Sequence, residues 1–309
     1  MKIEMGPTEE RLIQSLANDI SDLLNSTGIF NRVFQRLKSS SSIEKKINNK
    51  KNQYDNNKKK MQDIFGIRVT VYFADDEELA INLLKNKYIE LPDDHSIDKF
   101  DDDRFGPTRC NMIFRLPNVY SESSQVFNHT YIDNTFEVQF RTVFSEGWHE
   151  IEHDLRYKCK GDWVAENGLS RQLNRQFAVL QSCDWTLLKV FDELAYKKYK
   201  NSEWSSLFRN VVRIRFSNTD FSSEVKDYLN TNRKMAKNLL KIDRIKLLSS
   251  LSQLTLKIQF SMDLVLFVLN RIHFQNEGIK SLESEIVRQI LDNSFSDEKR
   301  IFEQKTYIM

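Results

Sequence analysis

Three clusters of residues have the types and spacing to handle phosphate. Arg36, Lys38, Lys45 and Lys46 surround four consecutive serines, Ser39 to Ser42, ahead of a helix start. Cationic side chains beside the free N–H groups of a helix N-terminus form a phosphate site. A solvated basic helix end has the same composition. Asp63 opens the segment DIFGIRV. A carboxylate at the mouth of a strand suits Mg²⁺, which takes one or two carboxylates and completes its shell with phosphate oxygens and water. Gly66 allows backbone or ligand to approach closely, and Arg68 alternates with apolar neighbours on the same strand. In TFEVQFRT, Glu137, Gln139 and Arg141 fall on one strand face, with Phe136, Val138 and Phe140 on the other. Three polar groups on one sheet face are costly unless solvent or a ligand meets them. Taken singly, each cluster also fits an ordinary surface strand or helix. Taken together they are much less ordinary.

The elements that must position these residues can be read in order. Thr8 is placed to cap a first helix carrying Leu12, Ile13, Leu16, Ile20, Leu23 and Leu24 at helical spacing. A short apolar piece, Ile29 to Leu37, leads into the serines. Residues 50–60 are nearly all Lys, Asn, Asp and Gln and read as a loop. Ile64 to Phe73, Asn111 to Leu116 and Thr135 to Arg141 read as strands. Residues 76–88 read as a helix, 92–109 as an acidic loop, and Val143 to Tyr157 as a helix. From Ser170 the pattern is mostly helical, with Leu173, Phe177, Leu180, Trp185, Leu188 and Phe191 on one face. Val211 to Phe216 alternates like a short strand, and 221–293 is helical again. Leu254 to Met262 fits either period, and its flanking helices favour helix. The resulting fold class is α+β. A mixed sheet of about five strands flanked by helices fills residues 1–198, and a mostly helical, regulatory region fills 199–309.

Bulk properties narrow the function classes. The 309-residue chain has 46 basic and 44 acidic residues, a net charge of +2, so global charge gives no argument for nucleic acid or a membrane surface. Only 8 Gly and 4 Pro occur, which favours long helices over a turn-rich β fold. Cys110, Cys159 and Cys183 lie far apart, which fits a reducing cytoplasm and not a disulfide framework. The longest apolar run, Leu264 to Leu269, falls far short of the ~20 residues of a membrane span. The N-terminal segment lacks the apolar stretch of a signal peptide. The expectation is a cytoplasmic protein.

The three clusters match, in order and spacing, the RelA/SpoT-like alarmone synthetase family. Arg36, Lys38, Ser42 and Lys46 occupy R-x-K-x-x-x-S-x-x-x-K. Asp63, Gly66 and Arg68 occupy D-x-x-G-x-R, and Glu137, Gln139, Arg141 and Thr142 occupy E-[VI]-Q-x-R-T. Trp148, Glu152, His153, Tyr157 and Lys158 fill a following W-x-x-x-E-H-x-x-x-Y-K. The resemblance runs over roughly residues 10–195 and implies a nucleotidyltransferase-like fold. It implies ATP-dependent transfer of a β,γ-pyrophosphate to a ribose 3′-hydroxyl, with release of AMP. By the same resemblance Arg36 and Arg68 hold the adenine between their planes, and Lys38, Ser42 and Lys46 hold the triphosphate. Asp63 and Glu137 bind Mg²⁺, and Glu137 also takes the acceptor's proton. Acceptor contacts fall to Gln139, Arg141, Arg109, Asn111 and Glu146.

The sequence departs from the family on the acceptor side. Members carry G-Y-x-x-x-H before the third strand. Here the stretch is DDRFGPTRCNMIF, with Gly106 kept, Pro107 in place of the Tyr and Asn111 in place of the His. Phe105 and Phe114 are alternative stacking faces off the family position. Glu146 stands where many synthetases have an amide. Base–aromatic stacking is worth roughly 1–3 kcal/mol, so its loss predicts poor use of GDP and GTP. The acceptor is left open between a guanine nucleotide, an adenine nucleotide and the 3′ end of tRNA. For a large acceptor the basic tracks are Lys50, Lys51, Lys58, Lys59 and Lys60, and the helix bearing Arg156, Lys158 and Lys160. Two other classes compete: a catalytically inactive nucleotide-sensing or partner-binding module, and a zinc peptidase through His149, Glu150 and His153, which spell H-E-x-x-H. Intact Asp63 and Glu137 argue against the first. The second lacks a third ligand in the sequence pattern.

Overall fold

The computed structural model describes residues 3–49, 60–97, 110–254 and 260–295. Phe105, Gly106, Pro107, Arg109, Leu256, Ile258, and the loop lysines apart from Lys60 lie outside the described residues. The chain forms two units. One holds Met1–Leu24 and Asn31–Thr186, the other Asn25–Phe30 and Leu187–Met309.

The first unit begins with α1, Pro7–Asn25. The helix opens at Pro7, whose fixed φ suits the first helical position, and not at a Thr8 cap. The Gly6 N–H donates to Glu9 Oε2 at 2.8 Å. Ile13, Leu16, Ala17, Ile20 and Leu24 are buried along one stripe, the outcome their helical spacing requires. The sheet follows: β1 Asn31–Leu37, β2 Phe65–Val71, β3 Ser96–Ile97, β4 Cys110–Arg115 and β5 Thr135–Thr142. Its order is β1-β2-β5-β4-β3. β2 and β5 run parallel, and every other pair is antiparallel. The sequence showed β1 only as an apolar lead-in, because Arg32, Gln35 and Arg36 interrupt its hydrophobic pattern.

One sheet face is the core. Phe65, Ile67, Val69 and Val71 of β2 and Phe136, Val138 and Phe140 of β5 are buried. Phe136 stacks on Phe114 of β4 and meets the edge of Tyr88. Each such side chain contributes about 1.5–3 kcal/mol on burial. Helix α2, Ser40–Asn49, follows β1, and α3, Asp75–Lys87, follows β2. α3 lays Leu79, Ala80, Leu83 and Leu84 into the interior.

Two more helices complete the unit. α4, Val143–Glu152, springs from the end of β5. Thr142 caps it: its Oγ1 accepts from Ser145 N at 3.1 Å while Ser145 Oγ accepts from Thr142 N at 2.9 Å. The sequence predicts one helix to Tyr157, but the last turn, His153–Tyr157, is a π turn. α5, Asn167–Lys200, is a 34-residue helix that opens in the first unit and continues into the second. Phe177 is buried as expected and Leu173 half-buried, whereas Trp185 is 63% exposed.

The second unit is helical. α6 is Trp204–Val212, α7 Ser223–Thr231, α8 Arg233–Asn238, α9 Arg244–Ser252, α10 Met262–Leu269 and α11 Glu285–Phe295. The strand expected over Val211–Phe216 is absent. Trp204, Leu207, Phe208 and Val212 form a buried helical stripe instead. Arg213 ends α6 in the left-handed region at φ 50°. Arg244 Nε then donates to the Val212 carbonyl at 2.7 Å, satisfying a free helix-end acceptor. Ser222, Asp243 and Ser261 cap α7, α9 and α10. Among the described residues no helix is long and apolar enough to cross a membrane.

Candidate active site

The sheet face opposite the aromatic core carries the predicted residues in cross-strand rows. Arg36, Gly66, Glu137 and Ile113 are register partners across β1, β2, β5 and β4. The next row is Phe34, Arg68, Gln139 and Asn111. The third is Arg32, Thr70 and Arg141. Register partners share a face, so three motifs spread over more than a hundred residues converge on one surface. Phe34, which the sequence did not single out, is 46% exposed in the second row.

At the entrance to β2, Asp63 gathers two lysines. Lys38 Nζ lies 2.5 Å from Oδ2, and Lys46 Nζ lies 2.9 Å from Oδ1 and 2.8 Å from Oδ2. The Lys38 N–H also donates to the Ile64 carbonyl, which ties the end of β1 to the start of β2. Burial alone would raise the Asp63 carboxyl. Hydrogen bonds and charge from Lys38 and then Lys46 outweigh it and hold the pKa below the usual carboxylate range. Burial lowers the Lys38 ammonium against the pull of Asp63, and the charge of Glu137 also reaches it. The two predicted metal-binding carboxylates therefore act on one ammonium. Ser42 sits exposed on the first turn of α2, its hydroxyl 2.8 Å from Ser39 Oγ. Gln139 Nε2 donates to Glu137 Oε1 at 2.8 Å, which orients that carboxylate.

The second row is organised by α4. Glu146 and Glu150, one helical turn apart, both receive hydrogen bonds from Arg68 Nη1, Glu146 at 2.6 Å. Burial disfavours the Arg68 charge, but Glu146 and then Glu150 more than compensate and the pKa is raised. Glu146, placed by resemblance with the acceptor contacts, thus pairs with the arginine placed with the donor. In the third row Arg141 is buried. Its pKa is lowered by burial despite the charge of Glu146. Burial raises Glu77, whose charge is coupled to Arg141 and Asp184, and pushes Cys110 up to about 11. Asn111 Oδ1 is buried without a hydrogen-bond partner among the described residues.

The last motif holds helices in place. Trp148 Nε1 donates to the Leu173 carbonyl at 2.9 Å, and its ring lies 4.9 Å from that of Phe177. Arg156 sits over Trp148 and bonds Glu152 and Asn174. Lys158 pairs with Asp154, and Lys160 lies over the Tyr157 ring. The three cations of this predicted basic track are thereby engaged. The zinc pattern comes apart in the same helix. Glu150 is bonded to Arg68, His149 packs on Trp148 and Phe177, and His153 bonds Asp154 and stacks on Tyr157. Among the described residues no group of three or more His, Cys, Asp or Glu could hold a metal ion unaided. Sequence reasoning missed Glu150 as a partner of Arg68. It also missed Asp184, buried on α5, which accepts from Thr142 Oγ1 at 2.8 Å. The one available signal was the i, i+4 spacing of Glu146 and Glu150 immediately after the polar strand.

A cationic notch at a strand mouth, followed by rows of polar side chains on a mixed sheet, has the donors that a phosphate-bearing ligand requires. Residues 35–162 match the family described as the region found in RelA / SpoT proteins. Over that region the chain is similar to RelA / SpoT proteins. It is similar in structure to the small alarmone synthetase 1 from Bacillus subtilis (20% identity, 59% of this chain, 92% of that one, TM-score 0.45). The smu.1046c protein from Streptococcus mutans UA159 is similar at 21% identity (60% of this chain, 94% of that one, TM-score 0.44). A GTP pyrophosphokinase family protein from Streptococcus pneumoniae is similar at 21% identity (60% and 90%, TM-score 0.44). No curated protein matches the chain.

Proposed function

We propose that this protein transfers the β,γ-pyrophosphate of ATP to a ribose 3′-hydroxyl. The observation that carries the reading is the pair of lysines on Asp63 at the head of the row Arg36–Gly66–Glu137. A triphosphate entering there replaces Asp63 as the partner of Lys38 and Lys46, with Ser42 beside it on α2. Asp63 and Glu137 are then free to hold Mg²⁺. A hard divalent ion suits two carboxylates at the edge of a phosphate site, because phosphate oxygens fill the rest of its shell. When bound it neutralises charge on the transferring group. Glu137, oriented by Gln139, accepts the proton of the attacking hydroxyl. Arg36 and Arg68 offer planar faces to the adenine. Such a transfer depends mainly on positioning and countercharge, and this site is built of little else.

On the acceptor side the proposal is Gln139, Arg141 and Asn111, with Arg109 from outside the described residues. The acceptor is a guanine nucleotide, an adenine nucleotide or a tRNA 3′ end. The absence of the family's Tyr and His favours the latter two. The test is to supply γ-labelled ATP with GDP, GTP, ADP, ATP or deacylated tRNA, then separate the labelled products. Rapid transfer to GDP or GTP alone would refute the acceptor assignment, and no transfer to any acceptor would refute the activity. The helical region 199–309 is proposed as the control element for this synthesis.

A further inference from the structure

Arg68 stands on the sheet face where an incoming nucleotide would lie, yet α4 holds it by two acids. A guanidinium Nη carries two N–H bonds, and on Nη1 Glu146 and Glu150 take both. The two acids differ in exposure: Glu146 is 16% exposed and Glu150 51%. Glu146 Oε2 is buried without a hydrogen-bond partner among the described residues. Two helical neighbours fixing one nitrogen set the plane of the guanidinium. They also deny that edge to any phosphate. Of the other donors, Nε is buried without a hydrogen-bond partner among the described residues, which leaves Nη2 and the flat face of the group, the part that stacks on an aromatic ring. The neighbour across the register is Phe34, not another cation.

We propose that Glu146 and Glu150 are positioning residues that reserve Arg68 for the base of the donor nucleotide and keep it off the triphosphate. The inference rests on the donor site proposed above. Without the clamp, a flexible arginine on a phosphate-binding face would swing to the strongest anion, the triphosphate itself. The nucleotide would then lose its base contact and gain a redundant phosphate contact. Glu150 has no counterpart in the motifs that define the region. Its role follows only from α4 returning over β2 with an i, i+4 acid pair.

The experiment compares two probes on the full-length protein with Mg²⁺ present: a non-hydrolysable methylene analogue of ATP, and inorganic tripolyphosphate, which has no base. Calorimetry gives both affinities for wild type, Glu150→Gln, and the Glu146→Gln/Glu150→Gln double variant. The analogue should bind about fivefold more weakly to the single variant and about tenfold or more to the double, about 1.4 kcal/mol. Tripolyphosphate should bind equally well or more tightly. Unchanged analogue affinity overturns the clamp, and so does a parallel loss for both probes, which marks a merely structural role. If the double variant fails to melt cooperatively, the single variant at the more exposed position decides by the same ratio. Wild type that binds neither probe refutes the donor site and the clamp with it. Wild type that binds the analogue, with the variants indistinguishable from it, refutes the clamp alone.

Discussion

The two ends of the polar face use the same chemistry with opposite signs. At the mouth of β2, Lys38 and Lys46 face the single carboxylate of Asp63, two positive charges against one negative, a local excess of +1. At the middle row, Arg68 faces Glu146 and Glu150, one positive against two negative, a local excess of −1. Neither end leaves its charges unpaired, as half-buried ions require. On the donor site proposed above, the direct pairings would sort ligands along the sheet: the two lysines on Asp63 would favour a polyphosphate, and the two acids on Arg68 would disfavour one. If the proposed donor site holds, a nucleotide is oriented as much by where phosphate is unwelcome as by where it is held.

The strongest way to break this arrangement is to disable the group between the two ends. Glu137→Gln should lower kcat about 10²–10⁴-fold, the range for losing a positioned general base. Single-turnover kinetics at saturating nucleotide would check it. Next is the latch that keeps α4 over the sheet. Trp148→Ala should cost about 3–5 kcal/mol of stability, read from denaturant melts, because a buried indole and its bond to Leu173 are lost together. Lys46→Ala should weaken nucleotide binding by about 1.5–3 kcal/mol, one charge-assisted contact, measured with the non-hydrolysable analogue. The same change should leave the Arg68 end intact, and its effect should shrink in high salt.

The smallest effect is on acid stability. Asp63 is held below its ordinary pKa in the folded chain. Its contribution is therefore present above the unfolded carboxylate pKa and is lost as pH falls through the depressed folded value. Asp63→Asn should flatten that acid limb and leave the slope near neutrality unchanged. Unfolding free energies from pH 2 to 7 for both proteins would show it. Asp184 has the opposite sign: burial raises its carboxyl. Its contribution is full below the unfolded pKa and fades as pH rises through the folded one. Asp184→Asn should therefore melt no lower than wild type at neutral pH while still accepting from Thr142.

Much of the first end was legible in the sequence. Arg36, Lys38 and Lys46 announce themselves by charge before a serine-rich helix start, and Asp63 and Glu137 by their places on apolar strands. Local spacing puts Arg36 and Glu137 on one face once the strands pair, with Lys38, Lys46 and Asp63 beside the strand ends. The Arg68 end was not legible. Its partners sit 78 and 82 residues away, and only the return of α4 over β2 brings them together. Helix spacing gave Glu146 and Glu150 a common face but no destination. The H-E-x-x-H spelling supplied a wrong one for Glu150. The Val211–Phe216 alternation failed for a related reason. Period two signals a strand only where a neighbouring strand offers hydrogen bonds, and among its described residues the second unit has none. There the helical stripe from Trp204 to Val212 prevailed.

Gly66 has a consequence in relief. A Cβ at this position would meet only Arg36, its carbonyl oxygen at 3.4 Å and its own Cβ at 3.9 Å. Neither distance forbids alanine, and no left-handed backbone turn demands glycine here. What glycine provides is depth. Between Arg36 on β1 and Glu137 on β5, strands about 10 Å apart, the floor of the first row is bare main chain. A ligand can lie there one methyl group lower than on any neighbouring row. The arginine and the glutamate then stand as walls and not as a lid.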